Sequence, residues 1–313
     1  MPSYTLLDRY VWELTQEEYD FVQRLSVTPE QVEDIKKIPQ RTPSWRNWRR
    51  YRLTASNFGS AANHNPYKQP EGLVGDMLWS TFKGNAATQY GSDREQVACD
   101  IYELHMKLTE DKTVWVQHQG LWIVQQMPMF GLSVDGLVHI DDKVQLLEIK
   151  CPYRKRFYPG IPHYYADQIQ GIMGFLDIMG SGVDWADFVV YTPAATRVER
   201  YAFQKEYFYE ELLPAMLDWY RNVFLPVALM YERGELKTGF IEPSVAFRMG
   251  TDGLEEDILP GDPPRPLEDS NPEMDREVAA TLDREEASVT ERLHQDNLNT
   301  FSMEARLGKM FIM

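Results

Sequence analysis

An α/β fold, with a mixed central β-sheet flanked by helices, is predicted by three features of the sequence. Over residues 129–151, apolar and polar residues alternate on both sides of Asp141-Asp142-Lys143, the pattern of two strands reversed by a polar turn. A second alternating pair covers 185–191 and 197–203. Around these pairs, apolar residues recur every three to four positions, as in helices that lay one face on a sheet.

Taken from the start, Leu7, Val11, Leu14, Phe21, Val22, Leu25, Val32 and Ile35 keep helical spacing and predict two short helices over 4–38. Thr28-Pro29-Glu30-Gln31 reads as the cap and first turn of the second. After an Arg-rich block, helices are expected at about 73–82 and 90–106, with strands within 113–125. The hairpin follows, then a long helix over 163–179, the second strand pair, and a long amphipathic helix over 205–233. These elements divide into a helical segment (1–40), a core domain (41–240) and an acidic appendage (241–313).

The appendage opens with the stiff linker Asp262-Pro263-Pro264-Arg265-Pro266, and residues 261–313 hold 12 Asp/Glu against 6 Lys/Arg. Helical periodicity over 272–293 fits a helix that docks on a partner, and the composition fits a solvated tail equally well. Met310-Phe311-Ile312-Met313 suits a groove, on a partner or on this chain. The sequence contains no internal repeat.

With 313 residues and 43% hydrophobic content, the chain has enough apolar material for one sizeable core. It has no run of the roughly 18 apolar residues that a membrane helix needs, and Met1-Pro2-Ser3-Tyr4 does not open a signal peptide. The expected location is the cytoplasm, without a membrane anchor. Two cysteines, Cys99 and Cys151, are expected as free thiols and are too few to hold an iron–sulfur cluster. No Walker-type glycine loop is present, which argues against an ATP-driven motor. His64, His105, His118, His139, His163 and His294 show no pair at i, i+4 with a third ligand nearby, so none is expected to bind zinc.

The chemistry concentrates in Ser133-Val134-Asp135-Gly136-Leu137 and Leu147-Glu148-Ile149-Lys150-Cys151. Side chains two apart on a strand share a face, so Glu148 and Lys150 point together while Leu147 and Ile149 point to the packed side. Asp135, one strand over, can face them. Two carboxylates suit a hard cation such as Mg²⁺, which takes oxygen ligands and keeps water, and an ammonium beside them can position or deprotonate that water. This combination suits metal-assisted phosphodiester hydrolysis. The same residue types also occur as ordinary cross-strand ion pairs, and only the surroundings separate the two.

Those surroundings resemble the PD-(D/E)XK nucleases, specifically the YqaJ-type viral recombinase exonucleases related to phage lambda exonuclease. Five ordered blocks over about 41–232 carry the likeness. They are Trp45, Arg49 and Leu53-Thr54-Ala55-Ser56; Asn65-Pro66-Tyr67; Gly91-Ser92-Asp93-Arg94-Glu95-Gln96-Val97-Ala98; the two strands ending in Glu148-Ile149-Lys150-Cys151-Pro152; and Tyr164-Tyr165-Ala166-Asp167-Gln168-Ile169-Gln170. Val134 stands where the family name has Pro, a departure that still supplies extended backbone before Asp135.

The resemblance implies a restriction-endonuclease-like core. It implies Asp135 and Glu148 as direct metal ligands, Glu95 as a further acid, the Ile149 carbonyl as a ligand, and Lys150 as the catalytic lysine. Arg49, Ser56, Ser133 and Gln168 match the relatives' 5′-phosphate pocket, and Arg independently suits phosphate through its forked donors. Alternatively, Ser56 caps a helix beginning near Asn57 and Gln168 is an ordinary helix residue. The implied activity is a Mg²⁺-dependent 5′-to-3′ exonuclease, with Mn²⁺ as a substitute ion. It would act on double-stranded DNA ends and leave 3′ single strands for annealing recombination. A single-strand annealing protein is the implied partner, a homotrimer the implied assembly, and a phage or viral origin the corollary. The location would then be the host cytoplasm, or the nucleus for a eukaryotic virus. A structure-selective or nicking endonuclease, or a non-enzymatic protein that binds DNA ends, stays open.

A net charge of −16 runs against nucleic-acid binding, but its distribution matters more than its sum. Arg46, Arg49, Arg50 and Arg52 lie among Trp45, Trp48 and Tyr51, and Arg154, Lys155 and Arg156 lie among Tyr153, Phe157 and Tyr158. Both clusters flank the candidate centre and suit phosphate contact combined with base stacking. Acidic surface elsewhere would restrict DNA to the channel between them.

Overall fold

The structure, a computed structural model, describes residues 2–236 except 8, 80–85, 111–113, 142, 155, 156 and 159. The expected appendage, Phe82, Asp142 and the basic pair Lys155-Arg156 therefore lie outside the described residues.

β1 (Ser3–Leu6) and β2 (Tyr10–Glu13) pair antiparallel ahead of the two expected helices, α1 (Gln16–Gln23) and α2 (Pro29–Lys36). Helical spacing did not anticipate this hairpin. Its strands are only four residues each, too short for a period of two to stand out, and it buries Leu6 and Trp12 while leaving Val11 58% exposed. α2 opens as the sequence suggests, with Thr28 and Gln31 in a capping box, and α1 opens the same way at Thr15 and Glu18, a cap the sequence reading did not name; both satisfy otherwise orphaned amides.

The Arg-rich block forms α3 (Pro43–Arg49) and runs into β3 (Leu53–Thr54), a 3₁₀ turn (Ala55–Asn57) and α4 (Phe58–Ala61). Helices α5 (Pro70–Trp79) and α6 (Ala86–Glu110) follow, then strands β4 (Val114–Gln117), β5 (Leu121–Ile123), β6 (Phe130–Ser133), β7 (Gly136–Ile140) and β8 (Lys143–Lys150). The chain continues through α7 (His163–Ile178), β9 (Trp185–Thr192) and β10 (Ala195–Ala202). It ends in α8 (Lys205–Tyr207), α9 (Leu213–Trp219) and α10 (Leu225–Glu232), joined by π turns at Phe208–Leu212 and Tyr220–Phe224.

The main sheet has the order β10-β9-β8-β7-β4, parallel between β8 and β9 and antiparallel elsewhere. With helices on both faces, this is the mixed α/β arrangement that the sequence predicts. One face packs against α6 through Ala98, Cys99, Tyr102 and Met106 on Leu147, Ile149, Val189 and Tyr191. The other packs against α7 through Ile169, Ile172, Met173 and Phe175, with Leu146, Phe188 and Val190. The alternation of β8 thus sends Leu147 and Ile149 to α6 and Glu148 to α7. The side left for Glu148 is also packed, and Glu148 is 0% exposed.

The stretch 129–151 is not one hairpin, as its alternation suggested. β7 and β8 pair from Gly136 opposite Leu147 to Ile140 opposite Lys143, and Asp141 takes φ +51 at the turn. β6, however, joins a separate sheet of order β3-β6-β5. The chain breaks at Val134-Asp135, just before Gly136, where a Cβ would sit 2.4 Å from Val116 Cγ1. Only glycine lets the first residue of β7 press this close to β4. No helix among the described residues is long and apolar enough to cross a membrane.

Candidate active site

Freed from the strand ladder by this break, Asp135 turns its carboxylate toward β8, where Oδ2 accepts the Ile149 N–H at 2.7 Å. Glu148, on the α7 side of β8, receives the Lys150 ammonium and the Gln168 amide, both on Oε1, with Gln168 at 2.7 Å. The other oxygen, Oε2, is buried without a hydrogen-bond partner. A carboxylate oxygen without any donor is costly to bury, and its position fits a metal ligand.

Electrostatics point the same way. Burial lifts Asp135 well above the usual carboxylate range, and Glu148 and Glu95 add repulsion that Lys150 opposes. Burial also raises Glu148, against the pull of Lys150 and Gln168. For Lys150, burial acts downward, but Glu148 and Asp135 outweigh it and hold the ammonium charged. The residues present therefore fit a divalent cation, which would favour both carboxylates in their ionised form.

Glu95, on α6, contributes its charge from the other side of the sheet edge, and its Oε2 pairs with Arg41 Nη2 at 2.6 Å. Sequence reasoning missed this arginine. It also missed His118, whose Nδ1 lies 3.1 Å from the Asp135 carbonyl oxygen and whose Nε2 lies 3.8 Å from Cys99 Sγ. Neither carries a local signal, because each meets its partner through the tertiary fold.

The four residues carried over as a phosphate pocket do not all gather in one place. Arg49 Nη1 donates to Ser133 Oγ at 3.0 Å, and Nη2 donates to Thr54 Oγ1 at 2.7 Å. The ring of Trp45 lies 4.3 Å under the guanidinium. Ser133 closes β6 two residues before Asp135, so this cluster adjoins the carboxylates. Burial pulls the Arg49 guanidinium down to about 10, which leaves it charged at neutral pH. Gln168 instead faces Glu148, and Ser56 is exposed on the 3₁₀ turn, where neither following helical segment has a side-chain cap. The partner that sequence reasoning overlooked is Thr54, in the same Leu53-Thr54-Ala55-Ser56 block.

The first basic cluster is also less uniform than its sequence. Arg52 is 5% exposed and spends its guanidinium on the carbonyls of Pro128, Trp48 and Leu25 at 3.0, 2.7 and 2.7 Å. It braces the fold and is unavailable to DNA. Arg46, Arg50 and Arg154 are exposed.

Residues 44–177 match the YqaJ-like viral recombinase domain. The match spans both the Arg49 block and the Gln168 helix, so it bears out the resemblance drawn from the five sequence blocks. Uncharacterized protein R354 of Acanthamoeba polyphaga mimivirus is 26% identical over 180 residues, covering 50% of this chain. The match covers 32% of that relative, so the chain spans about a third of its length. Among solved structures, the alkaline exonuclease LHK-Exo of Laribacter hongkongensis in complex with dAMP is similar at a TM-score of 0.46 and 23% identity. That likeness covers 62% of this chain and 97% of LHK-Exo. The shutoff and exonuclease protein of Kaposi's sarcoma-associated herpesvirus is similar at a TM-score of 0.28 and 15% identity, covering 66% and 56% of the two chains.

Proposed function

We propose that the chain is a metal-dependent deoxyribonuclease that digests one strand of duplex DNA from its 5′ end and leaves a 3′ single strand for annealing recombination. The observation that carries this reading is the bare, buried Oε2 of Glu148 beside Asp135 and Lys150. The YqaJ-like domain supports it.

Asp135 and Glu148, with the Ile149 carbonyl and Glu95, would hold Mg²⁺ or Mn²⁺. The ion, when bound, polarises the scissile phosphate and acidifies water. Lys150, held charged by Glu148 and Asp135, would orient that water beside the scissile phosphate. Gln168 fixes the Glu148 carboxylate so that Oε2 stays directed away from Lys150. Arg49 holds the terminal 5′-phosphate with its forked donors, assisted by Ser133, which it already contacts; Ser56 and Gln168, also matched to that pocket by the resemblance, lie apart from this pair. DNA ends, an annealing protein and two further copies of the chain are its proposed partners.

The deciding experiment measures nucleotide release in Mg²⁺ from linear duplexes with 5′-phosphate or 5′-hydroxyl ends, alongside the same DNA as a closed circle. Faster loss of the phosphorylated linear form with the circle spared is expected. Cleavage of the circle would reassign the centre to an endonuclease, and inactivity on all three would overturn the nuclease reading.

A further inference from the structure

The zinc-like arrangement that the histidine spacing did not suggest is assembled by the fold. His64 lies just after α4, and His163 and Asp167 sit at i, i+4 on the first turns of α7. Their candidate ligand atoms all fall within 4.8 Å of one another. His64 Nδ1 is 2.9 Å from Asp167 Oδ2, and His163 Nε2 is 3.7 Å from Asp167 Oδ1. A tetrahedral ion with bonds of about 2.0–2.1 Å sets its ligand atoms ~3.3 Å apart, between those two distances.

We propose that His64, His163 and Asp167 form a second metal site, for a divalent transition ion such as Zn²⁺, that clips the 63–67 loop to the start of α7.

Ligand chemistry separates this site from the carboxylate centre. Two imidazole nitrogens and one carboxylate suit a borderline ion, whereas Mg²⁺ demands oxygen. Hydrogen bonding alone accounts for only part of the gathering. Tyr207 donates its hydroxyl to Asp167 Oδ1 at 2.5 Å and His64 engages Oδ2, yet His163 stops beyond hydrogen-bond reach of the carboxylate. Its Nε2 lies instead 3.3 Å from the Tyr207 hydroxyl.

The surrounding structure also fits. Asp167 is 0% exposed and oriented by Tyr207, as an outer partner orients a metal-binding carboxylate. The close approach depends on Gly59, where a Cβ would lie 2.6 Å from Tyr164 Cα and 3.1 Å from Asp167 Oδ2. His64 and His163 stack at 4.0 Å with 13° between their planes, which keeps the two rings side by side at the cavity wall. His163, the exposed ring, is the ligand that turns on binding. Both histidines line a cavity of about 550 Å³ with Tyr67, Tyr158 and Tyr164, which gives the ion an open position. Asp167 adjoins Gln168, so occupancy here would stiffen the helical turn that holds Glu148.

The test is Co²⁺ titration of the full chain in excess Mg²⁺, read by visible absorption and by calorimetry. The wild type should take up one Co²⁺ with the intense bands of a four-coordinate, nitrogen-ligated site. His163→Ala and His64→Ala should each weaken binding at least tenfold, with unchanged circular dichroism, and Glu148→Gln should leave it intact. The proposal is overturned if no Co²⁺ binds, if the histidine variants bind as well as wild type, or if Glu148→Gln removes the signal. None of these readouts depends on DNA cleavage, so the result stands whether or not the chain proves to be a nuclease.

Discussion

Gln168 donates to the same oxygen of Glu148 that Lys150 engages, at 2.7 Å, and so leaves Oε2 alone without a donor. Removing the amide frees the carboxylate to rotate. Gln168→Ala should lower metal-dependent cleavage roughly 10- to 100-fold, the usual cost of losing such an orienting partner. It should also raise the Mg²⁺ concentration for half-maximal rate. A loss confined to 5′-phosphorylated substrates, with the Mg²⁺ response unchanged, would assign Gln168 to the phosphate instead.

Lys150 neutralises a carboxylate that has no exposure at all. Lys150→Ala should lower cleavage by about 10²- to 10⁴-fold, the range for losing a group positioned at the reacting water. It should also cost on the order of 3 kcal/mol of stability in EDTA, because it strands buried negative charge. Mg²⁺ should recover most of that loss, as urea midpoints with and without the ion would reveal. A variant that is equally stable in both conditions would count against a cation beside Glu148.

Gly136 predicts a packing effect. Gly136→Ala drives a Cβ to 2.4 Å from Val116 Cγ1 and should destabilise the protein by about 1–3 kcal/mol. Activity should fall further than stability, since Asp135 is the adjoining residue. Val116→Ala in the same chain should restore part of both, measurable by thermal melting and cleavage rate together.

Arg52 and its neighbours divide by burial. Arg52→Ala should unfold the protein several degrees earlier and leave the salt dependence of DNA binding untouched, because its guanidinium is committed to three carbonyls. Replacing exposed Arg46 and Arg50 together should do the reverse, reducing the slope of log affinity against log salt by about 1–2.

Cys99 carries the pH prediction. Burial, aided by Glu103, Asp100, Asp135 and Glu95, pushes its thiol up to about 12 from an ordinary value of 9.0. The folded state therefore holds its proton more tightly than the unfolded chain. The stabilisation is complete below about pH 9 and fades as pH climbs toward 12. Wild type should lose stability relative to Cys99→Ala between pH 8 and pH 10 in urea titrations, and Cys99 should resist alkylation at pH 8 in the folded protein.

What the sequence disclosed and what it hid follow one rule. Period-two alternation in β8 was enough to place Glu148 and Lys150 on one side, and Thr28 announced its capping box, because both are set by neighbours in the chain. The departure of β6 into a second sheet was invisible, since its partners are β5 and β3, the latter more than seventy residues upstream. Arg52 read as a DNA contact for the same reason: its partners lie 76, 4 and 27 residues away. His64, His163 and Asp167 gather across 103 residues. The sequence reading paired none of the three, because His64 meets the other two only through the fold.

The two halves of the candidate site differ in how far the chain must close to build them. The carboxylate–lysine half lies within one short hairpin and its preceding bend, and local contacts of that kind form early during folding. The Arg49 cluster waits on parallel pairing of β3 with β6, Leu53 beside Phe130, which closes a loop of more than seventy residues. The carboxylate–lysine pair would thus gather before the Arg49 cluster, which in the proposed nuclease orders the metal-binding groups ahead of those that meet a 5′ end. β8, in turn, gains its cover from α7 only after the chain has run past both β3 and β6, so burial of Glu148 comes last.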